Sequence, residues 1–276
     1  MSVATFIPEI WNAALWLEFR EEAVAATVSN RTYEGNAAVG NTVVINQAID
    51  VNIKDYAYND RTTSPDAVTT DDQKLLIDQE KNFDFLVDDI DRRQAAGSMD
   101  AFTQSAGLGL AEDADKFILS TAEAGALAAN QLGGTEPSDG DGAFDVFRDL
   151  RKALNKEKVP RGQRVAFVNA EFGSLLVSAS SKLTSADTSG DTRGLRDAFI
   201  GRILGFDVYE SENLPEVDEM QVVSFYQPAV AFVSQITDQT EALRDIDSFS
   251  DRLRGLHVYG ARVIRPNGVA TYNPGS

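Results

Sequence analysis

Between Thr5 and Phe19 two apolar stripes share one short segment. Ile10, Ala14 and Leu17 fall at helical spacing, as do Trp11, Leu15 and Phe19. Pro8 suits the first turn of such a helix. A lone amphipathic helix needs one stripe, so this arm is either buried at home or laid against a neighbour. The period then changes to two. From Thr42 to Tyr56 the apolar positions are Val43, Ile45, Ile49, Val51 and Ile53. From Lys74 to Val87 they are Leu75, Ile77, Phe83, Phe85 and Val87, with Asp78, Glu80, Asn82 and Asp84 on the other face. Such alternation predicts half-buried antiparallel strands. The polar stretch Asn59–Asp72 between them is rich in turn residues. The whole predicts a long two-stranded hairpin. A two-stranded ribbon is marginal in water, so its apolar face is expected to be stabilised between subunits rather than within one.

Helical spacing returns after the acidic run at Asp88–Asp91. Phe102, Ala106, Leu110, Ala114, Phe117 and Thr121 predict one helix of about 25 residues and about 37 Å, with Ser98 as its N-cap. A glycine-rich loop, 133–142, leads to a second helix with Phe144, Phe147, Leu150 and Leu154 on one side. Beyond it, short apolar strands are expected at Arg164–Val168, Arg202–Glu210, Ala229–Val233 and His257–Ile264, with a helix over Glu171–Ser178 and a turn at Asn213–Pro215. The fold class is α+β, with no internal repeat.

Charge changes this picture. The 276 residues carry a net −18. Residues 1–142 hold 9 Lys+Arg against 25 Asp+Glu, a net of −16, and residues 143–276 hold 16 against 18, a net of −2. That balance argues against a phosphate-tracking nucleic-acid binder and against docking on an anionic membrane. No apolar run is long enough to span a bilayer, and Met1–Ile10 lacks the basic start of a secretory signal. A cytosol-like compartment is expected. One basic cluster stands out: Arg148, Arg151, Lys152, Lys156, Lys158, Arg161 and Arg164. It is either a solvated helix face and loop, or a contact surface for an acidic partner. The acidic first half of another copy would serve, as would pairing within the chain.

Little catalytic chemistry is on offer. Cys is absent and His257 is the single histidine, which excludes thiolate sites and multi-histidine metal sites. Gly107-x-Gly109 lies within a predicted helix and fails the context of a dinucleotide loop. Asp139-Gly-Asp-Gly142 lacks the rest of a calcium loop and reads as a polar turn. Asp88, Asp89 and Asp91 read as capping or salt-bridge carboxylates rather than metal ligands. His257 reads as a hydrogen-bonded structural residue within an apolar strand. No catalytic residue, cofactor or metal is expected. What remains is an apolar arm, a ribbon and a charge asymmetry, which point to a protein that works by assembling. Non-equivalent self-contacts build rings and closed shells.

Several segments carry a resemblance. They are Ile7-Pro-Glu-Ile-Trp11, Asn30-Arg-x-Tyr-Glu-Gly35, Val51-x-Ile-Lys-Asp-Tyr56 and Phe83-x-Phe-x-Val-Asp-Asp-Ile-Asp91. Downstream come Gly201-Arg-Ile-Leu-Gly-Phe-Asp-Val-Tyr-Glu-Ser211 with Asn213-Leu-Pro215, then Glu241-Ala-Leu-Arg244 and Arg254-Gly-Leu-His-Val-Tyr-Gly-Ala-Arg262. In this order the chain resembles, over nearly its whole length, the major capsid (coat) protein of tailed bacteriophages with the Hong Kong 97-type fold. The resemblance implies an N-terminal arm at 1–35, an extended loop at 36–90 and a peripheral domain with a long spine helix at 91–160. An axial domain at 161–240 and a return through the peripheral domain at 241–276 complete it.

It also implies a role: a structural protein that self-assembles, as hexamers and pentamers, into an icosahedral head shell around double-stranded DNA held without sequence-specific binding. A separate scaffolding protein and a portal are implied partners, with a decoration protein a further one. No fused scaffolding segment is visible before the arm. Assembly in the host cytoplasm and residence in the virion follow. An encapsulin, a cellular compartment shell around a cargo enzyme, is the alternative within the fold, although the named segments look like phage coat proteins. A hydrolase built on His257 with a Ser and an Asp is the alternative from another class. The candidate subunit-interface residues are Trp11, Leu15, Ile53, Phe83, Phe85, Asp88, Asp89, Asp91, Arg148, Arg151 and Lys152.

Overall fold

The computed structural model describes residues 23–34, 40–48, 53–56, 59, 61, 65–67, 70–89, 100–178, 201–215, 219–246 and 248–274. In chain order the elements are α1 (Ala25–Val28), β1 (Thr42–Ala48), β2 (Thr70–Leu76), β3 (Gln79–Asp88), α2 (Asp100–Ala124), β4 (Gln131–Leu132), α3 (Gly140–Lys156), β5 (Arg164–Val168), α4 (Ala170–Leu176), β6 (Gly201–Ile203), β7 (Phe206–Glu210), β8 (Val222–Tyr226), β9 (Val230–Arg244), β10 (Ser250–Val263) and β11 (Val269–Tyr272).

A six-stranded mixed sheet runs in the order β4-β11-β8-β5-β7-β6. All five residues of β5 are buried, because helices cover both faces of the sheet. That is why Arg164–Val168 reads as a continuous apolar run rather than an alternation. On one face Ala166, Val168, Phe206 and Val208 pack with Phe147, Leu150 and Leu154 of α3 and Phe172 of α4. On the other, Val165, Phe167, Val223 and Phe225 pack with Ala114, Ile118, Leu119 and Ala122 of α2. Asp139 caps α3 by accepting from the Gly142 amide at 2.7 Å, which gives the Asp-Gly-Asp-Gly turn its role. Asn169 caps α4 by accepting from the Phe172 amide at 3.2 Å.

The long helix expected around Phe102–Thr121 is α2, 25 residues long. Its Asp115 is buried and accepts from the backbone amides of Val24 at 2.6 Å, Ala25 at 3.0 Å and Ala26 at 3.0 Å. One carboxylate thus satisfies the orphan donors at the start of α1, which has no side-chain cap of its own. Burial pushes the Asp115 carboxyl up, against the three amide bonds that favour its charge.

A second, three-stranded antiparallel sheet runs β3-β10-β9. A two-stranded ladder joins β1 to β2, from Thr42↔Leu76 to Ala48↔Thr70. Two expectations need correction here. The strand expected over Lys74–Val87 is two strands. The chain leaves β1 after Leu76, and β3 pairs instead with β10, from Gln79↔Tyr259 to Asp88↔Ser250. At the break it crosses directly over Gly260, where a Cβ would stand 2.1 Å from the Leu76 carbonyl oxygen. The second correction concerns only the base of the hairpin: Val43, Ile45, Leu75 and Ile77 are buried on the same chain, against Ala231, Val233 and Ile264. Of the residues expected to meet another subunit, Ile49 and Val51 lie outside the described residues and Ile53 is exposed.

The strand expected over Arg202–Glu210 is likewise a tight hairpin, β6 and β7. Leu204 and Gly205 take φ of 48° and 96° at its turn, the double left-handed geometry that suits a two-residue loop.

Candidate functional site

Three of the predicted interface residues, Trp11, Leu15 and Asp91, lie outside the described residues, as does the expected cap Ser98. Ile53 is fully exposed, with Tyr56 exposed beside it. Phe83 and Phe85 lie on the same face of β3, half-buried, their rings stacked at 6.0 Å. The Phe83 ring lies over Gly255 of β10, where a Cβ would stand 2.3 Å from it. Only glycine admits the ring there.

Asp88 and Asp89 sit at the end of β3. Asp88 pairs in register with Ser250. Asp89 accepts from Arg244 Nη1 at 2.8 Å, and the same nitrogen reaches Asp251 at 3.0 Å. Arg252 pairs with Asp84, and Arg254 with Glu241 at 2.6 Å. The Arg252 hydrogen bond holds the Asp84 carboxyl below its usual value, and Asp84 in turn raises Arg252. The salt-bridge reading of Asp89 is therefore met within the chain. These pairs are exposed, so solvent screening leaves each a weak contribution to stability. Beyond them the β9–β10 tip exposes Leu243, Ile246 and Phe249, with Leu86 of β3 nearby. Sequence reasoning missed this patch. Its apolar residues sit in a polar turn with no period to flag them.

The basic cluster splits into two kinds of residue. Arg148 is paired at home, with Asp145 at 2.7 Å and Asp149 at 3.8 Å. Arg164, expected on the surface, is 1% exposed. Its Nε donates to the Pro160 carbonyl at 2.8 Å, and its Nη2 to the Val159 carbonyl at 2.7 Å and Asn155 Oδ1 at 2.9 Å. It ties down the loop after α3 because the extended start of β5 points it inward. Among the described residues Arg151, Lys152, Lys156, Lys158 and Arg161 form no ion pair.

His257 is buried and hydrogen-bonds Ser234 Oγ through Nε2 at 3.0 Å. Burial pushes its pKa down. The nearby Asp113 carboxylate does not orient the ring, for it accepts from the Tyr259 hydroxyl at 2.6 Å and faces Lys81 at 3.5 Å. Burial, then Asp113, pushes the Tyr259 phenol up. A Ser-His pair is present, but among the described residues the carboxylate–imidazole bond of a triad is not. Among the described residues no group of three or more His, Cys, Asp or Glu side chains is placed to hold a metal ion. None of the described helices is long and apolar enough to cross a membrane.

Comparison with known proteins gives this geometry its context. Residues 72–272 match the family described as phage capsid protein. The chain belongs to the phage capsid protein family. A chain in the structure of Mycobacterium phage Che8 is 48% identical to this capsid protein, with full coverage of both chains and a TM-score of 0.87. The capsid structure of cyanophage P-SCSP1u follows at 13% identity, covering 99% of this chain and 94% of that one, with a TM-score of 0.80. The mature capsid of bacteriophage PhiM1 is 16% identical over 96% and 91% of the two chains, with a TM-score of 0.75. No curated protein is significantly similar to the chain. The α+β architecture is the Hong Kong 97-type fold that the sequence segments implied. This is a structural major capsid protein of a tailed phage. It self-assembles into the capsid shell of the virion.

Proposed function

We propose that this capsid protein closes, as hexamers and pentamers, into an icosahedral head shell around double-stranded phage DNA. The observation that carries the reading is the 48% identity, over the full length of both chains, to a chain in the structure of Mycobacterium phage Che8. The net charge of −18 supports containment of DNA by confinement rather than by phosphate pairing. The layout that goes with this role has an arm at 1–35, an extended loop at 36–90, a peripheral domain at 91–160, an axial domain at 161–240 and a returning segment at 241–276. Ile53, Phe83, Phe85, Asp88, Asp89, Arg148, Arg151 and Lys152 are its candidate contacts in the described part, with Trp11, Leu15 and Asp91 outside it. A portal and a decoration protein are its further partners, scaffolding comes from a separate protein or from a removed segment, and assembly takes place in the host cytoplasm.

The protein acts without catalysis. The Ser234–His257 pair is consistent with this, since among the described residues Asp113 is engaged by Tyr259 and Lys81 rather than by the imidazole. Electron micrographs of purified particles, with their nucleic acid assayed, test the proposal. Icosahedral particles filled with DNA are expected. Compact monomers, with and without a scaffolding partner, overturn it, as do shells that enclose an enzyme and no DNA.

A further inference from the structure

One buried amide of the fold has an uncommitted donor. Asn213, in the turn after β7, is 2% exposed. Its backbone N–H donates to Ser211 Oγ at 3.2 Å, but among the described residues its side-chain Nδ2 meets no acceptor. A buried donor without an acceptor costs free energy and calls for an account of what it meets. Asn213 lines a cavity of about 430 Å³, within the size range of small-molecule sites. The wall comes from α2, from the β3–β10 pair and from the turn at Asn213–Pro215. Phe117, Tyr259, Leu214 and Pro215 give it apolar surface, and the Phe117 and Tyr259 rings meet edge to face at 5.7 Å.

The charged groups of the wall set the sign of what fits. Both of its carboxylates are engaged. Asp113 accepts from the Tyr259 hydroxyl at 2.6 Å and faces Lys81 at 3.5 Å. Glu212 accepts from the Ala170 amide at 2.6 Å. The ammonium groups of Lys81 and Lys116 line the same cavity with their side chains partly open to solvent. Lys116 reaches Glu112 at 2.7 Å along its own helix, an exposed pair that competes weakly with a bound anion. Each ammonium carries three donors and no acceptor. The capacity left over is therefore donor capacity, from one amide and two cations, beside an apolar wall. Hydrogen bonds from such cations to a carboxylate are stronger than neutral ones.

We propose that this cavity binds a small organic acid, whose carboxylate accepts from Asn213, Lys81 and Lys116 and whose apolar body lies on Phe117, Leu214 and Pro215. The site is formed by a single chain, so the inference stands apart from the shell reading. Tyr259 belongs to the three-stranded sheet, and the turn at Asn213–Pro215 follows β7 of the six-stranded one. A bound acid ties the two sheets together across α2. Binding to the folded chain alone raises its melting temperature as ligand is added.

Equilibrium dialysis of radiolabelled phenylacetate against free subunits and against assembled particles tests the site. Saturable binding of one molecule per subunit is expected in both, with a dissociation constant on the order of 1 mM or tighter. The neutral 2-phenylethanol and the cationic benzamidine are expected to bind about tenfold or more weakly, since neither brings an anion to the donors. Asn213→Asp keeps the side chain's shape and replaces its donor with an anionic oxygen. It is expected to lower phenylacetate affinity by about tenfold or more. Lys116→Gln, at an exposed position, is expected to lower it about threefold to tenfold, and it keeps the test open if the Asn213 variant does not fold. Melting curves verify the fold of each. Absence of saturable binding to free subunits leaves the Asn213 donor to a water and overturns the proposal. Equal affinity for 2-phenylethanol, or native affinity in both variants, does the same. Binding to subunits but not to particles means that a group of a neighbouring copy fills the cavity in the shell, which overturns its assignment to a free acid.

Discussion

The six-stranded sheet has α2 packed on one face and α3 with α4 on the other, and its central strand β5 is buried throughout. The three-stranded sheet keeps one face in solvent, where Arg252 pairs with Asp84 and Arg254 with Glu241. At its tip Ile246 is 96% and Phe249 81% exposed. The patterning matches the environment: the apolar run of β5 is covered on both faces, and the alternating β3 on one. The first region is finished within one chain and draws its stability from apolar burial. The second buries Phe232, Tyr259 and Val263 with α2 on one face, and at its tip and outer face leaves apolar and charged groups exposed, where surface pairs add little. In a capsid protein this division separates folding from assembly. On that division a subunit is expected to be stable before it meets its neighbours, with the exposed tip free to meet them.

The largest effect is expected at Phe147, which is fully buried with its ring 6.0 Å from Phe172 and 5.9 Å from Phe206. Phe147→Ala is expected to cost about 3–5 kcal/mol of subunit stability by denaturant titration. A smaller loss would mean that the six-stranded sheet is less closed than its packing indicates. Asp115→Asn is expected to cost about 1–3 kcal/mol, since an amide cannot accept from all three backbone donors of α1. Faster exchange of the amides at residues 24–26 is the matching signature.

His257, which bridges β10 to Ser234 of β9 within the three-stranded sheet, makes stability depend on pH. Burial holds its pKa below the ordinary 6.5, so the unfolded chain binds a proton more readily than the folded one. Stability is full above about pH 6.5 and falls as pH drops through that value towards the folded pKa. His257→Gln is expected to flatten this part of the stability profile. An unchanged slope would assign it to carboxyl groups. The smallest effect on folding is expected at Phe249. Phe249→Ala is expected to change subunit stability by no more than about 0.5 kcal/mol, as exposed positions do, while lowering the yield of particles. A destabilised subunit would show that the tip packs at home.

The same physical division decides what could be read from the chain. Helices α2 and α3 were legible by their period. In α3 the expected stripe Phe147, Leu150 and Leu154 is buried, while in α2 the buried stripe runs through Ala114, Ile118 and Ala122, one step round from the Phe117 and Thr121 of the sequence reading. Strand β5 was legible as an apolar run covered on both faces. The break at Ile77–Asp78 was not. Leu75 and Ile77 on one side of it, and Phe83 and Phe85 on the other, keep the same alternation phase, so the pattern continues while the pairing partner changes. The Leu204–Gly205 turn lacks the Asn-Gly signal of a tight hairpin and was passed over. Strands β4, β8 and β11 are short or lie in polar surroundings, and their identity as strands depends on distant partners. At the candidate interface, residue type gave charge and exposure, but the inward turn of Arg164 and the home pairing of Arg148 are tertiary facts.

Hydrogen exchange on free subunits and on assembled particles measures the division between the two regions directly. The amides of β5, at 164–168, are expected to exchange slowly and equally in both states. Those around the β9–β10 tip, at 243–251, are expected to exchange fast in the subunit and slowly in the particle. Strong, equal protection of the tip in the free subunit, or fast exchange of the tip in intact particles, would contradict the account.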